Sequence, residues 1–340
     1  MKGIQVERPN ELKIIDMDMP TITEKNNVLI KIKAAGICGS DIGIYHGTNA
    51  AATYPRVIGH EMVGEVIETG ENVNKLQIGD RVIIDQVTNC GKCYACRVGR
   101  GNVCANLQVR GVHIDGGYKE YMAVPESDCY IIPDKLSYED AVLIEPTTIA
   151  IQSCSRAELT AEDTLLILGY GALGSSILRI AKISGAKIIV ADVVDSKLKD
   201  ALDNGADYII NLSKESITNK TKEYTASYGA TVCIDAACTK ESLGILLEVV
   251  GNAGRVITMG FSEQPTSITQ YKITSKEIDV RGSRLQNKKF QKAIDYINEN
   301  QLDITGSISH RFYFQEAQQA FDFIDTKDSS IRKVVLYFDN

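Results

Sequence analysis

From Thr164 onward the chain alternates short apolar runs with longer amphipathic ones: TLLIL, ALGSSILRIAKIS, KIIVAD, SKLKDALDN, DYIIN, ATVCID, KESLGILLEVV, GRVITMG and EIDVRGS. Strands that alternate with helices of this length form βαβ units, and such units build a parallel, doubly wound α/β sheet. Gly169, Gly171 and Gly174 follow the first of these strands directly and open the first helix. There the first glycine makes a tight turn, the second lets backbone approach a pyrophosphate, and the third lets helix pack closely on strand. Ala172 and Leu173 complete the loop, and the helix N-terminus offers free N–H groups and a positive dipole end to phosphate. The next strand ends in Asp192, 23 residues beyond Gly169. A carboxylate at that point accepts from the ribose hydroxyls of NAD and repels the 2′-phosphate of NADP. Val193 and Val194, rather than an arginine, follow it. NAD is therefore the expected cofactor, with Lys197 as a further ribose contact.

The chain before Pro146 has a different texture. Segments such as NNVLIKIKAAGICG, MVGEVIETG, DRVIID and YKEYMAVPES are short β-branched runs closed by Gly, Asn, Asp or Pro, which read as strands and turns. Beyond Asn287 come two helical patterns, KFQKAIDYINEN and QEAQQAFDFIDT, and a closing strand, KVVLYF. The expectation is a mostly-β domain, residues 1–147 and 288–340, interrupted by a nucleotide-binding domain over 148–287.

Within the first domain, Cys90, Cys93, Cys96 and Cys104 crowd one short run, NCGKCYACRVGRGNVC. Thiolates two residues apart in a tight turn reach a single zinc ion, and four of them close its tetrahedron. With no position left for substrate, that zinc, held in a lobe over about 86–108, is structural. A pair of disulfides would need an oxidising compartment. The opening MKGIQVERPN lacks the apolar core of a signal peptide, and nine cysteines, an odd number, fit a reducing cytoplasm. A net charge of −7 argues against nucleic acid as a partner. The uncharged run from Thr164 to Leu178 is too short to span a membrane.

Three further segments supply donors for a reactive zinc: AAGICGSD with Cys38, IGHEMVGE with His60 and Glu61, and LIEPTTIA with Glu145. Cys, His and Glu together make a three-ligand set that leaves one position open. With GICGSD, GHExxGxV, the four-cysteine lobe, GYGALG and the Glu145-Pro146 pair in this order, the chain resembles the zinc-dependent medium-chain dehydrogenase/reductase family over essentially its whole length. The resemblance implies a GroES-like catalytic domain beside the Rossmann domain, and a second, catalytic zinc held by Cys38, His60 and Glu145. Glu61 is the alternative ligand or a residue just behind the metal. Asp41 is expected to accept the other ring N–H of His60 and fix its orientation.

The reaction implied is oxidation of an alcohol by hydride transfer to NAD. Ser40 is placed by its motif to take the substrate proton outward. Many relatives carry a histidine two residues after the aspartate, where this chain has Gly43; water, the cofactor ribose or His46 would complete the path. Glu145-Pro146 resembles the polyol and sugar-acid branch rather than the alcohol branch, which carries cysteine there, or the L-threonine branch, which tends to Asp-Pro. YPRVIGHE, GVHIDGGYKEY and GSRLQNKKF are closest to bacterial hexonate dehydrogenases, which oxidise L-galactonate or L-gulonate at C5. A carboxylate substrate needs a cation, and Arg284 is the candidate, with Arg56 the weaker one. Sorbitol-like polyols and L-threonine are the alternative substrates. A non-catalytic NAD-binding regulator on the same scaffold is the reading from another class. The resemblance also implies a homodimer or homotetramer.

Overall fold

The computed structural model describes residues 1–338 except 262 and 329. The chain divides into two compact units, one of Met1–Pro146 with Phe290–Asn340 and one of Thr147–Lys289. The expected joints lie one and two residues from these.

The first unit is built on a seven-stranded sheet. Its order runs Cys129–Ile131, Arg81–Ile84, Glu61–Thr69, Asn27–Ile37, Val334–Tyr337 and His310–Tyr313, with Tyr121–Pro125 also pairing on Asn27–Ile37. The long strand Asn27–Ile37 is buried along most of its length, because partners cover both of its edges. The closing strand returns to it antiparallel, pairing Val334 with Ile37 and Tyr337 with Ala34. The C-terminal tail therefore belongs to the first unit, as expected.

The second unit is a six-stranded parallel sheet in the order Tyr208–Asn211, Lys187–Asp192, Thr164–Leu168, Ala230–Asp235, Val250–Thr258 and Asp279–Gly282. Strand order reverses beside Thr164–Leu168, the switch point at which dinucleotides bind in doubly wound folds. Its central strands are continuously apolar and buried, since helices cover both faces of a parallel sheet. The helix Ala172–Ser184 coincides with the run expected from sequence.

Among the described residues six helices depart from that reading, two of them the four-residue helices Tyr94–Arg97 and Tyr138–Ala141. Gly39–Tyr45 interrupts the supposedly all-strand first domain, and Ile144–Ala157 runs straight through Pro146. Ile217–Tyr224 and Gln270–Thr274 were not anticipated either. Among the described residues no helix is long and apolar enough to cross a membrane.

Candidate active site and cofactor site

Strand Asn27–Ile37 ends one residue before Cys38, which caps the short helix Gly39–Tyr45. Strand Glu61–Thr69 begins beside His60, and Glu61 pairs across the sheet with Gly36. A side chain on Gly36 would meet Glu61 Oε2 at 2.0 Å, so glycine is required for the two strands to present their ends together. The result is that donor atoms of Cys38, His60 and Glu61 all lie within 4.8 Å of one another.

The surroundings of this cluster fix its orientation. His60 sits with Nε2 3.3 Å from Ser40 Oγ and Nδ1 3.3 Å from Asp41 Oδ1. Asp41 is fully buried, and its carboxylate accepts the N–H groups of Cys38 (2.9 Å) and Gly59 (3.2 Å). The Tyr118 hydroxyl lies 3.0 Å from the Gly36 carbonyl and 3.3 Å from Asp41 Oδ2, and donates to one of them at a time. Burial alone would raise the Asp41 carboxyl, but the charge and hydrogen bond of His60 outweigh it and hold it below its ordinary value. Burial likewise opposes charge on His60, yet Asp41 prevails and the imidazole stays well above its usual range. The Cys38 thiol, which burial would raise, is pulled below its ordinary value by His60.

Two contacts escaped the sequence reading. The Lys333 ammonium, 8% exposed, makes an ion pair with Glu61 Oε2. Burial works against that ammonium, but the Glu61 carboxylate more than compensates and raises it. Gln86, with no exposed surface, donates from Nε2 to Glu145 Oε1. Glu145 lies in the first turn of helix Ile144–Ala157, outside the 4.8 Å group among the described residues, and burial and the Glu61 charge push its carboxyl well above the ordinary range. The group within 4.8 Å thus contains Glu61, with Glu145 buried near enough to feel its charge. Neither Lys333 nor Gln86 carries a local signal; each is an isolated polar residue in a strand-like run.

The donor set fits a divalent cation. A thiol, an imidazole and a carboxylate meet within 4.8 Å of one another in a buried region, which is the mixture of donor types such an ion takes. Cys–His–carboxylate is a zinc set with room for a fourth ligand. Asp41 is the carboxylate that faces Nδ1 of His60, at 3.3 Å. Replacing it with Asn is expected to lower zinc affinity by about 10- to 100-fold, the usual cost of losing a partner behind a metal-bound histidine. Competition with a chromogenic chelator measures it.

The cysteine lobe is a separate cluster. Sulfur separations are 3.5 Å for Cys93 to Cys96, 3.8 Å for Cys93 to Cys104 and 3.4 Å for Cys104 to Cys90, and all nine cysteines are free thiols. A zinc tetrahedron with bonds of about 2.3 Å spaces its sulfurs at about 3.8 Å, so the four would close on an ion with little movement. Backbone N–H groups of Cys90 and Asn106 point at Cys104 Sγ, each at 3.3 Å. The N–H groups of Ala105 and Cys96 hold the Cys93 thiol down to about 6, while lost hydration and the neighbouring sulfurs push Cys96 up to about 12. Four sulfurs so close cannot all be thiolates without a cation between them.

In the second unit the glycine loop takes the shape its spacing requires. Gly169 has φ +93°, and a Cβ on Gly174 would stand 2.1 Å from the Gly169 carbonyl. Gly171 borders open space and caps helix Ala172–Ser184 without a side-chain bond, which leaves first-turn N–H groups for an anion. Asp192 Oδ2 accepts the N–H of Tyr170 (2.7 Å), and Oδ1 accepts those of Val193 (2.7 Å) and Val194 (3.0 Å). Three of a carboxylate's roughly four acceptor positions are thus used, leaving about one for a ribose hydroxyl. Asp192 also ties the glycine loop to the strand end. Ala172 is exposed and Leu173 half-buried on the opening turn, and Lys197 is exposed on helix Asp195–Asp203. Arg284 follows strand Asp279–Gly282, half-buried, with its guanidinium 5.2 Å above the centre of the Phe261 ring. Arg56 pairs with Asp115 at 2.9 Å. His46 has Nδ1 2.9 Å from Asn10 Oδ1 and Nε2 2.9 Å from Asp325 Oδ1, so both ring nitrogens are engaged.

This combination of a GroES-like sheet, a Rossmann sheet and two metal-competent clusters defines a class. Residues 24–134 match the alcohol dehydrogenase GroES-like domain and residues 172–299 the zinc-binding dehydrogenase domain. The chain belongs to the zinc-dependent medium-chain dehydrogenases, and it is an oxidoreductase of the zinc- and nicotinamide-using kind. It is 39% identical to the starvation-sensing protein RspB of Escherichia coli K12, covering 99% of both chains. It is 30% identical to the sorbitol dehydrogenase of Bacillus subtilis, covering 99% of this chain and 97% of that one. The crystal structure of the rspB protein of E. coli CFT073, solved with NADH, superposes with a TM-score of 0.94 at 39% identity over 99% of both chains.

Proposed function

We propose that the protein oxidises a secondary alcohol of a polyhydroxylated sugar acid, L-galactonate or L-gulonate at C5, to the ketone, with hydride passing to NAD. The convergence of Cys38, His60 and Glu61, backed by Asp41, carries the dehydrogenase part of this reading. Cys38 and His60 are the metal ligands, with Glu61 or Glu145 as the third. Zinc, when bound there, supplies Lewis acidity that makes the substrate hydroxyl easier to deprotonate. The chain's own residues do the rest. Asp41 selects the tautomer of His60, Lys333 neutralises Glu61, and Ser40 Oγ accepts the substrate's proton. With His46 held by Asn10 and Asp325, and glycine at position 43, Ser40 delivers that proton to water or to the cofactor ribose. The balance is alcohol plus NAD⁺ giving ketone, NADH and one proton. Gly169, Gly171, Ala172, Leu173 and Gly174 cradle the pyrophosphate, and Asp192, with Lys197, meets the ribose.

The sugar-acid part rests on Arg284. It stands at the carboxyl end of the parallel sheet, where open α/β sheets bind ligands, and Phe261 steadies its guanidinium. A charge-assisted pair to a substrate carboxylate contributes about 1.5–3 kcal/mol. Arg284→Ala should therefore lower kcat/KM for the hexonates by about 10- to 100-fold and leave sorbitol nearly unchanged. An equal loss on sorbitol and hexonate would remove the sugar-acid reading and leave a polyol dehydrogenase.

A further inference from the structure

Gln86 lies where the chain leaves strand Arg81–Ile84 for the cysteine lobe. Its carbonyl accepts the N–H of Arg110 at 3.0 Å, which extends by one residue the ladder pairing Val87 with Val109 and Thr88 with Gln108. Residues 86 to 88 are thus extended, and Gln86 and Thr88 fall on the same side of the strand. The Gln86 side chain is fully buried, and its two ends differ. Nε2 donates to Glu145 Oε1, while Oε1 has no hydrogen-bond partner. The Thr88 hydroxyl, also buried, has none either.

Buried amide and hydroxyl oxygens are almost always paired, and two orphans two residues apart on one side of an extended segment call for a ligand that pairs them. Their location names its chemistry. Glu145, one of the two carboxylates proposed above for the metal, accepts from Gln86 Nε2, so the Gln86 amide is one hydrogen bond away from a proposed ligand. An acceptor oxygen beside a hydroxyl suits an alcohol group, which donates to the first and exchanges with the second. An apolar pocket wall would have served a simple alcohol without burying either group unpaired.

We propose that Gln86 Oε1 and Thr88 Oγ1 form a subsite for a second substrate hydroxyl, on a carbon next to the one oxidised, and that Gln86 thereby sets a preference for polyhydroxylated over simple secondary alcohols. This rests on the dehydrogenase reading above. Through Nε2 the same side chain also orients Glu145, so its removal affects every substrate to some degree, and the ratio between substrates isolates the hydroxyl contact.

The test uses the zinc-replete full chain, NAD⁺, and two probes: D-sorbitol, and 2-butanol, which presents a secondary alcohol with no second hydroxyl. In Gln86→Met the ratio of kcat/KM for sorbitol over 2-butanol should fall about tenfold or more, mainly through the KM of sorbitol. Gln86→Asn, whose amide is withdrawn by one methylene, should compress the ratio in the same direction and serves if the methionine variant fails to fold. Protection of the enzyme–NAD⁺ complex against thermal unfolding by sorbitol should weaken in parallel. Wild-type turnover with a ratio unchanged in both variants overturns the Gln86 subsite alone. A wild type that reduces NAD⁺ with neither these probes nor a hexonate overturns the dehydrogenase reading, and the subsite with it.

Discussion

Replacing His60 with alanine is expected to lower kcat/KM by about 10³-fold or more while leaving the fold intact. His60 is buried, contributes the only imidazole of the donor cluster, and connects it to Asp41 and Ser40. Its loss leaves Cys38 and a carboxylate, too few ligands to hold zinc in an open site. Lewis-acid stabilisation of charge developing on the substrate oxygen contributes several kcal/mol, and each 1.36 kcal/mol is a factor of ten in rate. The strands that carry the site pair through backbone hydrogen bonds, which the substitution does not touch. Steady-state kinetics beside metal analysis would check this: the variant should retain the zinc of the cysteine lobe and lose the other. Retention of both metals with near-normal rates would mean that the cluster is not the reaction centre.

The second large effect concerns stability. Cys93→Ser is expected to cost more than about 4 kcal/mol locally, a range reached when a metal is lost. Between residues 91 and 101, where no residue is buried, the lobe has little else to hold it. The helix Tyr94–Arg97 contains no buried residue, and Tyr94 and Val98 are exposed. Its order depends on four sulfurs closing on one ion, and binding energy of that kind is folding energy. Limited proteolysis should cut the variant within residues 91–103 under conditions that leave the wild type whole. Undiminished resistance would show that the lobe stands without metal.

What was legible in the sequence follows from which signals are local. The Rossmann half announces itself in TLLIL, the glycine spacing and ALGSSILRIAKIS, because buried parallel strands and amphipathic helices each have their own period. Helix Ile144–Ala157 was hidden by Pro146, taken as a boundary although proline is tolerated in a helix's first turn, where its missing N–H has no partner anyway. Gly39–Tyr45 and Gln270–Thr274 are too short to show a period. Ile217–Tyr224 is mostly polar and offers few apolar positions from which to read a period.

At the site, Cys38, His60 and Glu61 were found because metal chemistry uses few residue types, and their motifs sit at strand ends. Lys333 and Gln86 were not, since their significance lies in being buried against Glu61 and Glu145, and burial of a lone polar residue is decided by pairing far along the chain. The choice between Glu61 and Glu145 is of the same kind. Composition offers both carboxylates, and the Gly36–Glu61 register and the Gln86 hydrogen bond place them differently.

The most direct test of the account is the initial rate of NADH formation by zinc-replete protein with NAD⁺ and L-galactonate, L-gulonate, D-sorbitol, L-threonine or ethanol, repeated after chelation and zinc readdition. The account predicts zinc-dependent NADH formation with a large kcat/KM preference for a hexonate, lost on chelation and restored by zinc. NADH formation that ignores zinc, or none with any of the five, would contradict it.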